Sequence, residues 1–176
     1  MKYILVVALG YLLGCSNMAK YIAAMKKVDL SAGGSGNPGA SNAVILMGWG
    51  AGVLVAIHDI GKAALAVILA RLMFPGAPLI GAAAGVAAVL GHIYPFWMKF
   101  KGGKGFASYL GMTIALNWKF AIVVLLLVAV VTLITDYIVA DHQYHHPGSH
   151  LDGTQCRLLG AVPDPAAGLP GHRLEA

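Results

Sequence analysis

The chain has 176 residues, 59% of them hydrophobic and only 11% charged, with a mean hydropathy of +0.76. A soluble domain carries about a quarter charged residues, so this composition excludes a water-soluble monomer and predicts a bilayer protein, whose spanning helices satisfy their own backbone hydrogen bonds. The formal charge of +5 lies mainly in short loops beside apolar runs, which reads as topology and contact with anionic headgroups or phosphates and excludes nucleic acid as the partner.

The first apolar run, about Tyr3 to Met25, is interrupted only by Ser16, Asn17 and Lys20 and reaches the roughly twenty residues a bilayer requires. Met1-Lys2 ahead of it raises the possibility of a signal peptide, but no small-residue cleavage site follows and an uncleaved first helix is expected. Lys20, Lys26 and Lys27 place the far end of this run in the cytoplasm. A polar loop from Val28 to Asn42 comes next, then a second run from about Ala43 to Phe74 that contains His58, Asp59 and Lys62. Pro75 and Pro78 bracket an external turn.

The third run, about Leu79 to Trp97, returns to the cytoplasm and ends in Lys99, Lys101 and Lys104. A short fourth run, Phe106 to Leu116, is separated by Asn117-Trp118-Lys119 from a fifth, about Phe120 to Ala140. The predicted fold is therefore all-α, a polytopic membrane helix bundle with about five spans and cytoplasmic glycine-rich loops. Residues 1–140 form the membrane domain, and 141–176 a polar tail read as mostly disordered because it lacks helical or strand periodicity. Its abrupt change of character resembles a foreign or frame-shifted C-terminus; an uninterrupted reading frame through the locus would reject that reading. The tail histidines, His142, His145, His146, His150 and His172, lack the surrounding support of a dedicated metal site, and no metal is expected. Cys15 and Cys156 form neither a disulfide framework nor a metal-ligand spacing.

Three constellations carry chemistry. The first is Gly33-Gly34-Ser35-Gly36-Asn37-Pro38-Gly39-Ala40-Ser41-Asn42. Glycine permits backbone angles that aim successive amides into one concavity, a nest for phosphate oxygens, while serine and asparagine add donors. The same residues also read as a flexible turn with an asparagine helix cap. The second is Gly91-His92 through Phe96, followed by Phe100-Lys101-Gly102-Gly103-Lys104-Gly105. Its two lysines among glycines bring charge to an anion where a short helix begins, or mark the cytoplasmic side. Lys99 reads as a snorkelling boundary lysine. The third is Asp59 and Lys62, one turn apart on one helix face beside His58, read either as a helix-pinning ion pair or as ligand contacts.

Together these motifs resemble the acyl-phosphate-dependent glycerol-3-phosphate acyltransferases over about residues 1–140. Residues 34–42 are similar to the family's G-S-G-N-P-G-A-T-N, Asp59 and Lys62 to its D-x-x-K, and residues 91–105 to its G-H-x-x-P and F-K-G-G-K-G signatures. The resemblance implies transfer of an acyl group from a fatty acyl phosphate to the 1-hydroxyl of glycerol 3-phosphate, without cofactor or metal, at the bacterial inner membrane. It implies an electrostatic catalytic role for Lys104, with His92 positioning a hydroxyl or ordering the lysine loop. Substrate contacts would come from Ser35, Gly36, Asn37, Gly39, Ser41, Asn42, Asp59, Lys62, Lys101, Gly102, Gly103 and Gly105. Membrane lipids, and an enzyme that makes acyl phosphate, are the implied partners; the oligomeric state is not readable.

The chain departs from the family pattern in placing Ser31 and Ile45 where Arg is common and Thr135-Asp136-Tyr137-Ile138-Val139 where T-R-Y-x-S is usual. The family's last helices and their H-R-x-N-like segment have no counterpart. Two further readings stand beside the active acyltransferase: an inactive or truncated member that keeps the anion loops, and a small transporter or scaffold whose loops only set topology.

Overall fold

The computed structural model describes residues 1–144, with side chains to Thr135; the predicted tail from residue 145 lies outside the described residues. Seven α-helices and one 3-10 turn account for the described chain, and no strand occurs among the described residues. Contacts divide it into a unit of Met1–Leu127 and a second beginning at Val128, whose described part is the end of the last helix.

Each apolar run acquires its breaks from particular residues. The first is two helices, α1 (Lys2–Gly14) and α2 (Met18–Lys26), because Asn17 leaves the helical region and caps α2 by accepting the Lys20 amide at 2.9 Å. The second is α3 (Ala40–Met47) and α4 (Trp49–Met73), separated by Gly48 at φ +89°, a backbone angle that L side chains avoid. Helix α4 is closed by Phe74, which leaves the helical region just before Pro75. The third run gives α5 (Ile80–Ile93), closed before Pro95, and the 3-10 turn Phe96–Met98. The fourth is α6 (Phe106–Leu116) and the fifth α7 (Trp118–Tyr144).

Four stretches are long and apolar enough to cross a membrane: 2–26, 49–73, 80–98 and 118–135. Helix α6, with eleven residues, is about 17 Å long at the α-helical rise and falls short of a hydrocarbon core of about 30 Å. The expectation of about five spans thus resolves into four candidate spans and a shorter helix.

The core of the first unit is built from small residues. Ala63, Ala66 and Ala70 of α4, Ala84 and Ala88 of α5 and Val6 of α1 are buried with Met112 of α6. A Cβ on Gly10 or Gly14 of α1 would collide with the Ala84 or Ala88 carbonyl of α5, and one on Gly111 with the Ile60 carbonyl of α4. In a bilayer, where apolar side chains gain little by leaving lipid, such backbone approach is a principal source of helix association. Arg71, near the end of α4, reaches the carbonyls of Ala115 and Leu116 at 2.8 and 3.4 Å and so complements the negative end of α6.

Candidate functional site

The two glycine-rich loops meet. A cleft of about 740 Å³, within the usual range for ligand pockets, is lined on one side by Ser31, Ser35, Gly36, Asn37 and Pro38 and on the other by Lys99, Lys101, Gly102 and Lys104. Lys20 from α2 and Trp97 from the 3-10 turn complete its walls. Four lysines therefore line one opening, and no acidic residue is among the described residues that line it.

The first loop is fastened from within. Asn42, 1% exposed, accepts the Ser35 amide at 2.9 Å and donates to the Leu30 carbonyl at 3.0 Å. It lies inside α3, whose N-cap is Gly39, so the expected asparagine cap before the second run is instead a buried strut. Asn17 adds a bond to the Pro38 carbonyl at 3.2 Å, tying the loop to the break between α1 and α2. The Gly36 amide is engaged by Gly33 and the Gly39 amide by Asn37. Ser41 is exposed on the first turn of α3. Before the loop, the Asp29 carboxylate accepts the hydroxyl and amide of Ser31, which holds its pKa below the usual range.

The lysine loop folds back on the end of α5. Phe100 donates to the Pro95 carbonyl at 3.1 Å, Lys101 to Met98 at 3.1 Å, Gly102 to Ile93 at 2.9 Å and Gly103 to His92 at 3.1 Å. Those four amides are thus spent holding the loop against the end of α5. The glycines serve close approach. A Cβ on Gly102 would strike the His92 carbonyl, and one on Gly103 the His92 ring. Lys99 and Phe100 both have positive φ, 53° and 59°, a left-handed pair costing about 1–2 kcal/mol per residue, and Gly105 continues at +85° into α6.

Beneath the loop lies a buried polar cluster. The Lys62 ammonium is 2.9 Å from Asp59 Oδ1, 2.6 Å from the Ser16 carbonyl oxygen and 2.8 Å from His92 Nδ1. His58 extends the cluster, with Nδ1 at 3.5 Å from Asp59 Oδ1 and Nε2 at 3.0 Å from Ser16 Oγ. Asp59, Lys62 and His92 are each at most 6% exposed and do not line the cleft. Their connection to it runs through the backbone bonds of Gly102 and Gly103.

Of the residues singled out in the sequence, Ser35, Gly36, Asn37, Lys101, Gly102 and Lys104 share the cleft. Gly39, Asn42, Gly103 and Gly105 shape its loops. Sequence reasoning passed over Lys20 and Lys99, read only as topology charges, and over Trp97. The Trp97 indole donates to the Cys15 carbonyl at 2.7 Å and stacks on Tyr21 at 6.1 Å between centroids, so it anchors the lysine loop to α2. No local pattern announces that contact, because its partners are 76 to 82 residues away. Of the two positions where the resembled family commonly has Arg, Ser31 lines the cleft and Ile45 is exposed on α3.

Residues 4–142 match the family model for glycerol-3-phosphate acyltransferase. The chain is 34% identical over 145 residues to glycerol-3-phosphate acyltransferase 1 of Oceanobacillus iheyensis, covering 78% of this chain and 70% of that one. It is 45% identical over 111 residues to the Myxococcus xanthus glycerol-3-phosphate acyltransferase, covering 62% and 58%. Its fold is similar to the glycerol 3-phosphate form of PlsY (YgiH), an integral membrane glycerol 3-phosphate acyltransferase, with a TM-score of 0.69, 36% identity, and coverage of 76% of this chain and 66% of that one. The lysophosphatidic acid form of PlsY aligns with a TM-score of 0.64, covering 72% and 62%. The chain spans 58–70% of the length of these relatives.

Proposed function

As the chain belongs to the glycerol-3-phosphate acyltransferase family, we propose that it transfers an acyl group from a fatty acyl phosphate to the 1-hydroxyl of glycerol 3-phosphate. The observation that carries this reading is the cleft in which both glycine loops and four lysines converge. Both substrates are phosphate esters or anhydrides, and a lysine-rich concavity concentrates them against their mutual repulsion. The acceptor hydroxyl attacks the acyl carbonyl, the bond from the carbonyl carbon to the bridging oxygen breaks, and inorganic phosphate departs as the hydroxyl proton is released. Lys104 and Lys101 offset negative charge on the carbonyl and leaving oxygens, while Ser35 and Asn37 hold a phosphate opposite them. Holding two anions in one orientation supplies much of the acceleration.

Lys20, Lys26, Lys27, Lys99, Lys101 and Lys104 accompany the ends of α2 and α5. By the positive-inside rule that end is cytoplasmic, which gives a multi-pass protein of the bacterial inner membrane with its loops facing a soluble acceptor. An enzyme producing acyl phosphate is the partner this reaction requires. The purified protein in nanodiscs, given acyl phosphate and labelled glycerol 3-phosphate, forms labelled 1-acylglycerol 3-phosphate. No product above that of Lys104→Ala rejects turnover. Ser31 supports a second reading, a member that binds without turnover, because the cleft carries a hydroxyl where relatives commonly place a cation. Saturable glycerol 3-phosphate binding without product identifies it, and transmembrane flux of glycerol 3-phosphate without acylation identifies a transporter.

A further inference from the structure

We infer that Lys62 is a positioning residue that holds His92 in its Nε2–H form, so that this N–H serves as a donor for a phosphate at the lysine loop. An ammonium has three protons and no lone pair. Those of Lys62 are taken by Asp59 Oδ1 at 2.9 Å, the Ser16 carbonyl at 2.6 Å and His92 Nδ1 at 2.8 Å. His92 Nδ1 must therefore accept, and the proton of a neutral imidazole then resides on Nε2. Lys62 thereby joins three elements: the break between α1 and α2, its own α4, and the end of α5.

The other ring nitrogen is left for a ligand. His92 Nε2 has no bond to the described residues, although the side chain is 3% exposed. Every fully covered side-chain nitrogen or oxygen among the described residues has a partner, so Nε2 retains an opening. It lies against Gly103, where a Cβ would occupy its space, at the base of the loop whose next residue is Lys104. The ring does not line the open cleft; its Nε2 would meet a phosphate oxygen that Lys104 draws in past Gly103.

The groups facing the ring decide what removal of Lys62 does. Asp59 Oδ1 is 3.4 Å from His92 Nδ1; with Lys62 in place both atoms receive its protons. With Lys62 gone, the carboxylate draws the imidazole proton to Nδ1. Nε2 then becomes an acceptor facing the anion loop, and repels the oxygen it formerly bound.

The test is nitrogen NMR of the full chain labelled with 15N-histidine in bilayers, with His92 assigned by its loss in His92→Asn. The wild-type signal is expected to show the proton on Nε2, and to shift when inorganic phosphate is added. Lys62→Met is expected to move the proton to Nδ1 and to weaken phosphate binding at least tenfold. His92→Asn, whose amide oxygen keeps an acceptor near the Nδ1 position, should weaken phosphate binding by a similar factor while its Tm stays near wild type. A wild-type proton on Nδ1, an unchanged tautomer in Lys62→Met, or a His92 signal indifferent to saturating phosphate overturns the inference; the first and third need no variant to fold. The phosphate role rests on the proposed reaction, but the tautomer does not: a correct tautomer with no acyl transfer defeats the reaction alone.

Discussion

Gly103→Ala probes whether the lysine loop works by close seating on α5. The native backbone at Gly103 is compatible with alanine, so the effect is purely steric. The added methyl would overlap His92 Nε2 and lie 2.8 Å from Cε1 and 3.2 Å from Cδ2, against an ordinary carbon contact of about 3.5–4.0 Å. The ring has no retreat, because Nδ1 is held by Lys62 at 2.8 Å. The loop must move instead, stretching the Gly102–Ile93 and Gly103–His92 backbone bonds, now 2.9 and 3.1 Å. Each contributes about 0.5–1.5 kcal/mol net, so their joint loss costs about 1–3 kcal/mol. A displacement of about 1 Å at a reacting group lowers the rate by about a hundredfold. Thermal unfolding in detergent, phosphate titration and the acyl-transfer assay measure the three consequences. A Gly103→Ala protein with wild-type melting temperature and wild-type phosphate affinity would refute the seating argument.

Three further outcomes follow from the same geometry. Asn42→Ala removes the strut between Leu30 and Ser35 and is expected to cost about 1–3 kcal/mol; hydrogen exchange at the Ser35 amide should accelerate, and an unchanged rate there contradicts the strut. Lys62→Met leaves the Asp59 carboxylate buried without its cation, at a cost of about 3–5 kcal/mol, whereas Asp59→Asn combined with Lys62→Met removes both charges and recovers most of it; denaturation midpoints of the two proteins should differ accordingly, and equal midpoints would show that the pair is not coupled. Gly61→Ala, on the α4 surface with open space at its Cβ, should raise stability by about 0.4–1 kcal/mol, and a lowered melting temperature would place an undetected contact at that face.

The sequence by itself determined the membrane class, because a chain with so few charges has no other solvent for its surface. It also determined where most helices lie. The apolar run from Phe106 to Leu116 became α6 with those same ends, and Pro75 and Pro95 sit just beyond α4 and α5, where proline disfavours helix. The internal breaks were less legible. Asn17 divides the first run by capping α2, and Gly48 divides the second by a positive φ; both residues occur inside helices elsewhere, and only the packed backbone selects the break.

The pairing of the two glycine motifs was readable from their order and from the common side of the membrane that the lysine pattern predicts. How they work together was decided by tertiary structure. Residues more than sixty positions apart share one cleft, and Lys20, Lys99 and Trp97 enter it because α2 packs beside the lysine loop. Asp59 and Lys62 were legible as a pair by helical spacing, since that depends on local geometry alone. Their bonds to Ser16 and His92 depend on three chain segments meeting, which no local pattern encodes. The glycines show the same division: their abundance marked the loops, but whether each supplies an amide, a turn or room for a neighbour follows only from what lies against its missing Cβ.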